Sequence, residues 1–294
     1  MISFDSMHAP LPFNRPMRAL SGRIMASAED RASLKNWDDL AAENPINAAI
    51  AQDDERGEIK KGALEYETIL KECPGGVLLD LGCGYGRVAK YVLPQRTYNH
   101  YVGVDDSIGM LQTFERRYES RPEEKTTPLT LIKASIADLP LADASVDAVV
   151  TSAVWLHNPK DVTRRSIAEV RRVLKPGGKL LIFASFVNRE NPSYWQEWFY
   201  SEIVLRLRGG MRRNGPVRVY GEKEVRGLLS GFSDVELFRT GCRVLPIHWL
   251  FIPRMLNLRV WKAPIARPVN DWASRILGRR GQRFCTHYDV VAVK

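Results

Sequence analysis

The chain has 294 residues, 45% of them hydrophobic and 26% charged, with a formal net charge of +9. That balance excludes a disordered, collagen-like or disulfide-dense chain and fits one large α/β domain with additions. The charge is uneven: residues 203–283 hold seventeen Lys and Arg against five Asp and Glu, which suits an anionic partner or an Arg-rich solvated surface.

Residues 1–28 carry Pro10, Pro12 and Pro16, which break any helix. From 28 to about 70 the pattern turns helical, and EIKKGALEYETIL places Ile59, Ala63, Tyr66, Ile69 and Leu70 on one side. Pro74-Gly75-Gly76 ends it. VLLDLG reads as strand one, residues 87–93 start a helix, and HYVGVDDS is strand two. SIGMLQTFERRYES is a helix, LTLIKAS strand three and SVDAVVTSA strand four. The helix KDVTRRSIAEVRRVLK stops at Pro176-Gly177-Gly178, before strand five, KLLIFASF. This alternation predicts a Rossmann-like, doubly wound, mostly parallel sheet with right-handed crossovers. Regularity then fails. An aromatic patch, NPSYWQEWFY, precedes a basic loop, RLRGGMRRNGPVRVY. GEKEVRGLLSGF is one more helix and FSDVELFRTG strand six. Residues 244–282 are rich in Pro, Trp, Arg and Leu, and THYDVVAVK closes as an alternating strand.

Cys73, Cys83, Cys242 and Cys285 form no C-x-x-C pair and stand at no ligand spacing from a histidine. Neither a disulfide framework nor a metal site is expected. The first twenty residues lack the apolar core of a signal peptide, and no apolar run approaches the roughly 18 residues needed to span a bilayer. A cytoplasmic protein is expected, with peripheral membrane contact as an option.

The stretch VLLDLGCGYGR sets Gly82, Gly84 and Gly86, with Cys83 between the first two, after the apolar run of strand one. In an open α/β sheet this turn marks the ligand crevice, and glycine lets the backbone approach a ligand. A dinucleotide fingerprint, G-x-G-x-x-G, needs glycine where Arg87 stands. Asp80 beside the turn repels a pyrophosphate and favours a cation, so S-adenosylmethionine, with a sulfonium and an ammonium, fits better than NAD. Asp105 ends strand two, where an acid accepts ribose hydroxyls. Asp106 could share that role, and VDDS reads equally as a helix cap by Asp106 or Ser107.

VLLDLGCGYGR, YVGVDDSIGML, ASIADLPLADASVDAVVTSAVWLH and RRVLKPGGKLLI resemble, in this order, the class I S-adenosylmethionine-dependent methyltransferases of the type 11 group. The resemblance implies the strand order 3-2-1-4-5-7-6 with the last strand antiparallel. It implies that Asp80, Gly82, Gly84 and Gly86 surround the methionine part of the cofactor and that Asp105 holds the ribose. Ser107, Met110 and the Ser135-Ile136 turn would flank adenine, and Ser152 would lie near the reactive methyl. The family often has Asp where Ser135 stands; Asp138 is a possible substitute. Residues 1–70 are expected as a helical extension and substrate lid, and 71–294 as the methyltransferase domain, with insertions at 187–231 and 244–282.

Methyl transfer needs alignment of the nucleophile and, for some acceptors, removal of a proton. His157, just after strand four in AVWLHNP, is the candidate base, because histidine titrates near neutrality; the alternative is a loop-shaping histidine. His248 and His287 are weaker candidates. Trp155 is a possible pocket wall. Tyr194, Trp195, Trp198 and Tyr200 could line or cover the acceptor site, or pack on the sheet, and Trp37 could help to close it. The expected acceptor is a small molecule or a lipid-linked metabolite, with residues 244–282 as a possible contact to an anionic membrane. An RNA or protein methyltransferase is the alternative suggested by the basic half, although no RNA module and no N/D-P-P-Y/F tetrapeptide is present. A non-catalytic cofactor-binding module is a further alternative.

Overall fold

Strand β1 (Val77–Leu81) sends Leu79 and Leu81 into one hydrophobic cluster and Leu78 into another. A strand buried on both faces belongs in the middle of a parallel sheet covered by helices, and the computed structural model places it there. The structure describes residues 37, 63–122, 126–199, 203, 217–241, 269, 272, 276 and 284–294. Helix α1 (Ala63–Glu72) leads into β1, followed by α2 (Arg87–Val92), β2 (His100–Asp105), α3 (Ile108–Glu119), β3 (Leu129–Lys133) and β4 (Val146–Ser152). After a short 3-10 turn (Trp155–His157) come α4 (Lys160–Val173), β5 (Leu174–Asn188), α5 (Pro192–Phe199), β6 (Val219–Tyr220), α6 (Glu222–Leu228), β7 (Ser233–Thr240) and β8 (His287–Val293).

The strands lie in the order β3-β2-β1-β4-β5-β8-β7, with β6 beside β5. β1 to β5 run parallel, and β8 lies antiparallel between β5 and β7. This is the expected order once the two-residue β6 is numbered. Tyr66, Ile69, Val88, Ala89, Val92, Leu111 and Phe114 from α1, α2 and α3 pack on one face with Leu78, Val150 and Leu181. Val162, Ile167 and Val170 from α4, Val225 from α6 and Leu229 just after it pack on the other with Leu79, Val149 and Leu180. The period of two along each central strand thus feeds two cores.

Two boundaries differ from the expectation. Helix α4 ends at Val173, and β5 begins at Leu174 rather than after the glycines. Leu174 is extended and buried and pairs with Val146 ahead of a bulge, so tertiary pairing overrides the helix-like run. β6 lies in what reads as a basic loop. Its Tyr220 is fully buried, 5.0 Å from Phe186 between ring centroids, and that aromatic contact recruits two residues to the sheet. The expected N-terminal helical region outside Trp37 and 63–70, the basic loop up to residue 216 and most of 244–282 lie outside the described residues.

Candidate functional site

β1 is flanked by β2 and β4, so their carboxyl ends form the crevice at the switch point of the sheet. The glycine turn is tied across that crevice: the Gly82 and Cys83 amides donate to the Val104 carbonyl at 2.7 and 3.0 Å. A Cβ on Gly82 would sit 2.4 Å from Val154, and one on Gly86, at φ +83°, would sit 2.4 Å from the Phe114 ring. Those two glycines are demanded by packing. Gly84 differs. At φ +53° a Cβ there would meet nothing within 4 Å, so its backbone borders open space, as a cradle for a ligand requires. The Cys83 side chain is buried and lies under Gly103, so Cys83 shapes the turn and its thiol does not enter the cradle.

Asp105 organises the second strand end. Its Oδ2 accepts the Gly84 amide and its Oδ1 the Ser107 amide, each at 2.9 Å. A carboxylate has about four acceptor positions, so capacity remains for ribose hydroxyls. Burial raises its pKa to about 6, opposed by those two amide bonds. Ser107 caps α3 by accepting the Met110 amide at 3.2 Å. The cap is therefore Ser107, while Asp105 remains available to a nucleoside.

Asp80 is not the open carboxylate that the sequence suggests. It is 1% exposed and accepts a hydrogen bond from the Tyr101 hydroxyl at 2.7 Å. Burial pushes its pKa up to about 7, against the Tyr101 bond and the nearby Arg87 charge. A carboxyl held at that value is only partly ionised near neutrality, and a cation that joins it draws it to the charged form. The preference for a cationic ligand survives, as a conditional charge rather than a standing one.

The β4 side supplies the remaining residues. The Arg87 guanidinium donates to Ser152 Oγ, lies 3.4 Å from the Tyr66 hydroxyl and 3.6 Å from Glu65. Ala153 follows at φ +59°, a conformation that non-glycine residues hold only where the surrounding structure enforces it. His157 then stands in the 3-10 turn, with its ring edge-on to Trp37 at 5.2 Å. Trp37 also packs with Tyr85 against Met110. One indole thus touches both the candidate base and a residue expected beside adenine.

Ser135 Oγ accepts the Ala137 amide at 3.2 Å. Ile136 is buried in the larger core cluster, so its side chain supports the turn rather than facing a ligand. Asp138 is exposed and Asp106 partly so. Trp155 does not wall a pocket: it is fully buried, stacks near Phe186, and donates its indole N–H to Ser166 Oγ at 3.0 Å. His287 is held by Thr286 and lies 3.5 Å from Asp289, within β8. Trp195 and Trp198 are both exposed, so neither is buried against the sheet. Tyr200 and His248 lie outside the described residues. Sequence reading missed Arg87, Tyr101 and Tyr85 as members of the site. Arg87 and Tyr85 flank the last glycine and were legible as neighbours; Tyr101 becomes visible only through the β1–β2 register, Leu78↔Tyr101.

The methyltransferase-domain family matches residues 79–182, from within β1 into β5. A 2-phytyl-1,4-naphtoquinone methyltransferase of Trichormus variabilis is 33% identical over 137 residues, 46% of this chain and 58% of that protein. The ubiquinone/menaquinone biosynthesis C-methyltransferase UbiE of Syntrophotalea carbinolica is 32% identical over 194 residues, 58% of this chain and 78% of that protein. Over the naphthoquinone relatives the chain spans little more than half of their length. The fold is shared with a Leishmania major S-adenosylmethionine-dependent methyltransferase, at 12% identity and TM-score 0.53, over 90% of this chain and 82% of that one. Similarity at the level of the UbiE relative, together with the family match over residues 79–182, makes the chain a member of the class I S-adenosylmethionine-dependent methyltransferases.

Proposed function

We propose that this chain methylates a small, apolar, aromatic acceptor of the quinol or phenol class, with or without a lipid tail. The observation that carries the reading is the placing of His157. It follows the Ser152 end of β4, and its ring lies against Trp37, which packs with Tyr85 and Met110. A histidine set against Trp37, itself packed with Tyr85 and Met110, suits an aromatic acceptor with a proton to lose. The relatives named for naphthoquinone, menaquinone and ubiquinone chemistry support the same class.

S-adenosylmethionine, when bound, supplies a methyl group already activated by its sulfonium. The residues of this chain do the rest. Gly84 and Asp105 hold the nucleoside side, Asp80 and Arg87 set the charge at the methionine side, and His157 takes the acceptor's O–H proton. Trp37 acts as a lid contact over the site, excluding water and aligning the acceptor.

The test is turnover. The protein is incubated with S-adenosylmethionine and a panel of reduced naphthoquinols and phenols, with and without prenyl tails, and products are read by mass. Methylated quinol or phenol is expected. His157→Gln should keep cofactor binding and lose turnover by about 100-fold or more, as for removal of a general base. Unchanged turnover in His157→Gln would remove the base; methylation confined to polar amines or RNA would remove the acceptor class.

A further inference from the structure

We infer that Glu169 and Arg172 on α4 are positioning residues for the cofactor's base: they hold the turn after β3 in the arrangement that reads the exocyclic amino group of adenine. The inference rests on the reading of Gly84 and Asp105 as the nucleoside side of the crevice, and its test uses binding, not turnover. On that reading the methionine part lies toward Asp80 on β1, while Asp105 ends β2. The base of a nucleoside held at Asp105 therefore extends the other way, toward β3, which pairs with β2. The turn that leaves β3 starts at the same place. The Ala134 amide donates to the Asp105 carbonyl at 3.1 Å, and the Asp138 amide donates to the Ser135 carbonyl at 3.1 Å. Asp138 is exposed, and Ser135 and Asp138 are the polar side chains that this turn offers.

Side chains of α4 fix the far end of the turn. Leu139, next to Asp138, donates its amide to Glu169 Oε2 at 2.8 Å, and its carbonyl accepts from the Arg172 guanidinium at 2.9 Å. Arg172 also donates to the Leu141 carbonyl at 2.7 Å. Its other bonds go to the two Glu169 oxygens, each at 2.8 Å, and to Asp143 at 2.7 Å. A guanidinium has five N–H donors, and these bonds use all of them, so the rigid fork has one orientation. The bonds are charge-assisted, and the Arg172 guanidinium holds the Glu169 carboxyl below the usual carboxylate range.

Burial and the clamp do different things. The Leu139 and Leu141 side chains are buried in the larger core cluster, which settles where the segment lies. Apolar packing is non-directional and does not set which way a carbonyl or an amide points. The Glu169–Arg172 pair does, because it takes both backbone groups of Leu139 at once. The residue it fixes adjoins Asp138, so the pair acts on the base through the turn and does not touch the cofactor. Asp143 meets the same guanidinium from beyond the turn, and its side chain is 72% exposed. It therefore serves as the control, since an exposed ion pair contributes little.

The full chain is titrated calorimetrically with S-adenosylhomocysteine and with S-inosylhomocysteine, in which a carbonyl replaces the amino group of the base. The parent should prefer the adenine form by about tenfold or more, as expected for one hydrogen bond to a charged acceptor. Glu169→Gln keeps the shape of the side chain, and Arg172→Lys keeps the charge without the fork. Both should weaken the adenine form by about tenfold and leave the inosine form near its parental affinity, so that the preference disappears. Asp143→Asn should titrate both forms as the parent does. A structural defect alone would weaken both forms together in Glu169→Gln and Arg172→Lys, and that result would overturn the inference. So would a parental preference kept in both variants, a parent that binds the two forms alike, or an equal loss in Asp143→Asn. Gly84→Ala reads the cradle separately and should weaken both forms alike. If it weakens neither, the nucleoside reading falls and this inference with it; if it weakens both while Glu169→Gln keeps the preference, this inference alone falls.

Discussion

Replacing Gly84 and Gly86 separately by alanine distinguishes a glycine that serves the ligand from one that serves the fold. Both have positive φ, +53° and +83°, and forcing an L-residue there costs about 1–2 kcal/mol. For Gly84→Ala that is the whole penalty, because the new methyl meets nothing within 4 Å; a melting point lower by a few degrees is expected. For Gly86→Ala the methyl lies 2.4 Å from the Phe114 ring, far inside the normal carbon–carbon separation of about 3.5–4.0 Å. Overpacking adds about 1–3 kcal/mol, so the loss roughly doubles. The order reverses for cofactor binding. The Gly84 methyl occupies the cradle, and a displacement of about 1–3 kcal/mol weakens S-adenosylmethionine by about 5- to 150-fold. Differential scanning calorimetry without ligand and isothermal titration with S-adenosylmethionine read the two effects. If Gly84→Ala binds the cofactor as the parent does, the open space above that turn is not the cofactor cradle. If Gly86→Ala is no less stable than Gly84→Ala, the packing argument fails.

Asp80, raised to about 7 by burial, makes both binding and stability depend on pH. Because its folded value lies above its unfolded one, near 4, the ligand-free folded protein keeps a proton that the unfolded chain has given up, so stability falls as pH rises between about 4 and 7. Asp105, at about 6, contributes with the same sign up to that value. Asp80→Asn should flatten the slope between about 6 and 7 in chemical denaturation. S-adenosylmethionine affinity should rise with pH up to about 7 in the parent and lose that dependence in Asp80→Asn. Tyr101→Phe removes the hydroxyl that donates to Asp80 at 2.7 Å; the midpoint of that binding profile should move up, with about 1–2 kcal/mol of stability lost. Trp37→Ala removes an edge-on ring contact with His157 worth about 0.5–1.5 kcal/mol, so stopped-flow dissociation of S-adenosylmethionine should become about 2- to 10-fold faster if Trp37 closes the site.

Much of the sheet was legible because its signals are local. VLLDLG, HYVGVD and VDAVVTS announce central strands by apolar runs ended by glycine, an acid or a serine, and the resemblance carried by the four spaced motifs implies the strand order. The carboxylate at the end of β2 could be read as a ribose acceptor from its place after the glycine turn. The long β5 and the short β6 were not legible. Leu174 extends because Val146 pairs with it, and Tyr220 joins the sheet because Phe186 lies beneath it; neither partner is near in sequence. The site divides in the same way. Residue order identifies which acids and glycines border the crevice. Tertiary packing decides that Asp80 is buried under Tyr101, that Arg87 reaches Ser152 and Glu65, and that Trp37 meets His157. It also decides that the apolar face of α5 stays exposed. A helical period shows that a face exists, but whether that face is covered depends on what the rest of the chain brings to it. While the strand order came only through the family resemblance of its motifs, the sequence by itself determined the succession of strands and helices and the chemical kinds of group at the crevice, since both follow from local pattern. Their ionisation and reach were decided only in three dimensions, because desolvation and charge–charge energies depend on distances between residues that the fold, not the chain order, brings together.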